Sequence, residues 1–166
     1  MTIAGLPPGG QGGFAYLWLL FAIAAMGLLL ATAAGVLETT IRREREADLL
    51  FIGDQFRRAI AAYHACPTAG GGHEYPVRLE DLLDDQRHAT PRRHLRRLYR
   101  DPMNGGVGWG LVMAGDRIVG VHSLAEDKPL RTAFAERDAA LAGAADYRGW
   151  RFVVDGDAPQ RTMECR

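Results

Sequence analysis

The residues of this chain that could do chemistry are five histidines, two cysteines and one dense run of arginines, and their spacing offers little chemistry. His64, Cys66 and His73 come nearest to a zinc pattern, yet structural zinc takes four ligands at short, regular spacing, which one cysteine and two scattered histidines do not supply. His88, His94 and His122 add no second pair. There is no GxSxG, no Gly-rich phosphate loop and no HExxH, so nucleophilic, phosphoryl-transfer and zinc-hydrolase readings find no foothold and no enzyme is expected. Arg92, Arg93, Arg96, Arg97 and Arg100 would line up along one face of a helix. Such a stripe could meet phosphate, but only Tyr99 interleaves it as an aromatic, and Glu80, Asp81, Asp84 and Asp85 are close by. A solvated face, or contact with an acidic patch on a neighbouring subunit, is the expectation rather than nucleic-acid binding. Cys66 and Cys165 could form one disulfide, which would suit an oxidising compartment, or stay two thiols.

The elements that must carry these residues follow from length and hydropathy. One hundred and sixty-six residues favour one compact domain plus an N-terminal segment, and 20 basic against 20 acidic residues leave no global field for nucleic acid or an anionic surface. From Phe14 to Leu37, 24 consecutive residues carry no charge. As a helix this run reaches roughly 36 Å against about 30 Å of hydrocarbon, whereas a lone strand in lipid would leave its backbone unpaired. It is longer than a signal-peptide apolar core, and its flank has no Lys or Arg. Residues 1–13, rich in Gly and Pro, read as a leader that does not extend the helix. The orientation signals conflict. Arg42, Arg43 and Arg45 after the span would hold the rest of the chain in the cytoplasm, while Glu44, Glu46 and a cysteine pair favour the opposite side.

Beyond the span, Leu49, Ile52, Phe56, Ile60 and Tyr63 recur every three or four residues between Asp48, Asp54, Arg57 and Arg58. No proline interrupts residues 14–66, so one helix is predicted, transmembrane over 14–37 and amphipathic over 38–66, with a small head over 67–166 to cover the stripe. Within the head, Arg78–Asp84 reads as a turn and short helix, and the segment from Pro91 to Pro102 as about two helical turns. Trp109–Met113 and Ile118–His122 form a hairpin across AGDR, and Trp150–Val154 pairs with them as an antiparallel sheet. Residues 125–147 read as a variable connection with one helical turn. Gly27, Ala31 and Gly35, four apart, could form a close helix-packing face, or arise by chance in an alanine-rich span.

This order of leader, span, amphipathic helix and small sheet resembles the type IV pilins and, more closely, the pseudopilins of type II secretion systems. Gly13 and Phe14 stand where a prepilin peptidase cuts in that family. The phrases REREADLLFIGDQFRRAIAAYH, YPVRLEDLL and LRRLYRDPMNGG are similar to a group related to the major pseudopilin. The resemblance implies an α+β, pilin-like fold and a bacterial inner-membrane subunit with one pass and a periplasmic head, processed and methylated at its new N-terminus. Its implied partners are other pilin-like subunits, an inner-membrane assembly platform and a prepilin peptidase. A monomeric, membrane-anchored binding module that has lost fibre assembly is the alternative. Two departures bear on this choice. Trp18 replaces the glutamate that the family carries five residues after the cut, which removes one assembly contact, and no basic residue precedes Gly13. No cofactor is expected, although the family's calcium loop would fall near Asp127, Asp138 and Asp146, whose spacing matches no EF-hand pattern.

Overall fold

In the computed structural model, residues 12–106 and 108–154 are described. The first element, α1, runs as one helix from Gly12 to Ala65, 54 residues. It begins two residues earlier than the leader boundary predicted above, so Gly13 and Phe14 both lie in its first turn. The chain divides into two compact units, one ending at Ile41 and one starting at Arg42. The first unit contains Phe14–Ala31, with a mean hydropathy of 2.3 and none of it buried, long and apolar enough to cross a membrane.

In the second unit the helical residues 42–65 turn a stripe into an α+β core. Leu49, Phe56 and Ile60 are fully buried, Tyr63 is 5 % exposed and Ile52 is half-buried. Against them packs a three-stranded antiparallel sheet in the order β1-β2-β3, with β1 at Gly110–Ala114, β2 at Arg117–His122 and β3 at Arg151–Val153. Leu111 faces Val121 across the hairpin and Val121 faces Phe152 across the second pair. Gly115, with φ of 62°, makes the tight turn between β1 and β2 that a side chain would strain. The core is rich in aromatic contacts. Phe56 meets Trp109 edge-on at 5.1 Å, and Trp150 meets Tyr147 at 5.2 Å and Phe134 at 5.3 Å.

Two glycines set close approaches, Gly53 that of helix to sheet and Gly120 that of β2 to β3. A Cβ on Gly53, inside α1, would lie 2.4 Å from the Phe152 ring, and one on Gly120 in β2 would lie 2.6 Å from the Phe152 carbonyl oxygen. Only a bare backbone fits at either place.

Three local expectations are corrected. Residues 91–102 form no helix. Asp85 and Arg92 exchange both backbone hydrogen bonds, at 2.8 and 3.1 Å, and the amides of His94 and Leu95 both donate to the Leu82 carbonyl. The His94 and Leu95 amides, which a helix starting at Pro91 would bond internally, are spent on Leu82, and this arrangement buries Leu95. The arginines of this segment therefore share no helical face. The predicted helix at Arg78–Asp84 contracts to a 3₁₀ turn at Leu79–Leu82, held by the Asp81 carboxylate, which accepts from the amides of Val77 and Arg78. The segment read as a variable connection instead contributes core, since 3₁₀ turns at Glu136–Leu141 and Tyr147–Gly149 bury Leu141 and Tyr147.

Candidate functional site

The buried stripe of α1 is more regular than its apolar members. Positions 46, 49, 53, 56, 60 and 63 follow three- and four-residue steps, and two of them are a glutamate and a glycine. Glu46 is 2 % exposed. Its Oε1 accepts from the Tyr147 hydroxyl at 2.7 Å and from the Leu130 amide at 2.5 Å. One turn earlier, the Arg42 guanidinium donates to the Lys128 carbonyl at 2.7 Å. A guanidinium and a carboxylate one turn apart on the helix thereby clasp residues 128–131. Burial pushes the Tyr147 hydroxyl up to about 12, and its bond to Glu46 adds to the rise. A pocket of about 400 Å3 opens beside this clasp, walled by Arg43, Glu46, Leu130, Arg131, Thr132 and Ala133.

A second buried carboxylate organises the other end of the head. Asp85, 1 % exposed, receives two hydrogen bonds of 2.8 Å from the Arg87 guanidinium and one of 3.0 Å from His94 Nε2. Burial alone would raise its carboxyl, but these bonds outweigh burial and hold it well below the usual carboxylate range. Arg87 also donates to the Tyr63 carbonyl and lies 3.6 Å over the Tyr63 ring, which ties this node to α1. A third pairing joins Arg57 to Asp54 at 2.8 Å and Asp138 at 3.1 Å. Ser123 donates to Asp101 at 2.6 Å, and both are sealed from solvent, at 0 % and 1 % exposure, so this hydroxyl–carboxylate pair is structural rather than presented to a substrate.

The sequence-derived candidates fall into separate places. Phe14 is 74 % exposed in the apolar unit, and Gly27, Ala31 and Gly35 are exposed there, with nothing within 4 Å of a Cβ built on either glycine. Trp18 is 64 % exposed and packs edge-on to Phe21. Leu49, Ile52, Phe56, Ile60 and Tyr63 all lie in or against the head core. Cys66, at the end of α1, is buried and disulfide-bonded, while Cys165 lies outside the described residues. Among the described residues no three His, Cys, Asp or Glu side chains converge as metal ligands would. Asp138 is held by Arg57, Asp146 accepts from the Gly149 amide, and Asp127 lies 4.0 Å from Arg42. His64 stacks on Tyr75 and its carbonyl is met by His73 Nδ1 at 2.8 Å, an interaction within the surface rather than a ligand set.

Sequence reasoning missed Glu46, Asp85 and Tyr147. A signal for Glu46 was present, because a charge that falls on the buried stripe in strict register must have partners. For Asp85 and Tyr147 no local pattern existed. Compared with family models, characterised proteins and solved structures, the chain matches none.

Proposed function

We propose that this chain is a pseudopilin-like structural subunit of a type II secretion or type IV pilus-like system, not an enzyme. It would be anchored in the bacterial inner membrane by its first helical segment and carry its head in the periplasm. The observation that carries the reading is α1 itself. One helix from Gly12 to Ala65 is apolar enough at its start to cross a membrane, and its later residues bury a stripe beneath a three-stranded antiparallel sheet. In this reading the prepilin peptidase cuts between Gly13 and Phe14, and the exposed face of Gly27, Ala31 and Gly35 meets the spans of other pilin-like subunits on an assembly platform. The disulfide at Cys66 supports an oxidising compartment.

Mass spectrometry of the protein purified from membranes tests this. A mature form beginning at Phe14 is expected, and a chain retaining Met1 with no Phe14 product would refute processing. The exposed Trp18, apolar where the family carries a charge, favours a second reading as a monomeric membrane-anchored binding module. Crosslinking in native membranes separates the two: ladders of subunits support assembly, and a monomer at every expression level supports the module.

A further inference from the structure

The pocket beside Glu46 combines cationic, hydroxyl and apolar groups in a way the clasp does not require. Arg43 is exposed and has no carboxylate partner among the described residues. Arg131 is exposed; its Nε donates to the Ala133 carbonyl at 2.8 Å and its guanidinium lies 5.9 Å from the Phe134 ring centroid, while its two terminal nitrogens have no hydrogen-bond partner among the described residues. Thr132 adds a hydroxyl to the same wall, and Leu130, 40 % exposed, adds an apolar side chain. The one carboxylate in the wall, Glu46, already accepts from the Tyr147 hydroxyl and the Leu130 amide. Two guanidinium groups around a pocket of about 400 Å3 suit a phosphate diester, since arginine recognises phosphate with paired N–H donors. The neighbouring Leu130 suits the glycerol and first methylenes of an acyl chain rather than a free anion. Arg43 also stands six residues after Leu37, the last residue of the uncharged run, which is about 9 Å further along a helix.

We propose that Arg43 and Arg131, with Thr132 and Leu130, form a binding site for the headgroup of an anionic phospholipid. The site rests on membrane residence but not on subunit assembly, so its failure would leave the processing test unaffected. Native mass spectrometry of the full chain released from detergent micelles tests it, with phosphatidylglycerol or phosphatidylcholine added at equal concentration. Phosphatidylglycerol adducts should exceed phosphatidylcholine adducts several-fold, and R43Q/R131Q should abolish the difference. R93Q/R97Q, which removes as many exposed arginines elsewhere, should preserve it. Equal retention of the two lipids, or an equal loss in both double variants, overturns the site. Displacement of the lipid by inorganic phosphate at matched concentration would instead identify a free-anion site and overturn the lipid assignment. R43Q alone, at an exposed position, checks that any loss is not unfolding.

Discussion

Glu46→Ala is the most informative single change in the head. It strands the Tyr147 hydroxyl, which is fully buried, and releases the Leu130 amide, which sits on a half-open loop and can turn to water. A buried donor left without its acceptor costs about 1–3 kcal/mol, and hydrogen bonds to a charged group lie at the upper end of that range. Taking most of the cost from Tyr147 and a smaller part from Leu130 gives a loss of about 3 kcal/mol. For a head of this size that corresponds to a fall in Tm of roughly 10 °C. Glu46→Gln keeps one acceptor oxygen and should lose only about 1 kcal/mol. Trp150, buried 5.2 Å from the Tyr147 ring, makes tryptophan fluorescence in a urea titration of the micelle-bound chain the natural assay. A cycle with Tyr147→Phe should return a coupling of about 1–2 kcal/mol, since each change removes the same bond. If Glu46→Ala lies within about 0.5 kcal/mol of wild type, or the cycle is additive, the clasp does not hold the loop.

Four further outcomes follow from the same geometry. Gly53→Ala, which in an open helix would gain about 1 kcal/mol, should instead lose about 1–3 kcal/mol because its Cβ meets the Phe152 ring at 2.4 Å; thermal melting decides the sign. Phe56→Ala should cost about 3–5 kcal/mol by emptying the space between Trp109 and Tyr99, measured by urea unfolding. Raising the pH should leave the Tyr147 contribution intact below about pH 10, the unfolded hydroxyl value, and remove it as pH climbs towards 12, because the folded state binds that proton more tightly; Tyr147→Phe should flatten this limb of a stability–pH curve. The Asp85 carboxyl is shifted the other way, so its contribution is full above about pH 4 and fades as pH falls further, and Asp85→Asn should remove that acid dependence in the same measurement.

What the sequence disclosed is what local periodicity encodes. The uncharged run, the three- and four-step stripe through Leu49, Phe56, Ile60 and Tyr63, and the hairpin around Gly115 each depend on neighbours within a few residues, and each stands where the pattern put it within a residue or two. What it concealed depends on distant partners. Residues 91–102 look helical from their prolines and leucines, but the amides of Arg92, His94 and Leu95 bond to residues 82–85 around a buried carboxylate. Tyr147 sits in a stretch of alanines without a period, and its burial becomes intelligible only once Glu46, 101 positions away, is seen to receive its hydroxyl. An apolar count of the stripe passes over the two members that define the candidate site and the sheet contact, Glu46 and Gly53.

The clasp also fixes where a soluble fragment of this protein can begin. The head uses helical residues as far back as Arg42 and Glu46, so a fragment designed by apolarity alone and started at Leu49 would discard the acceptor for Tyr147 and the donor to Lys128. Starting at Arg42, where the second compact unit opens, keeps both while leaving the greasy portion behind. The useful cut for crystallography or binding assays therefore lies only five residues past the end of the uncharged run.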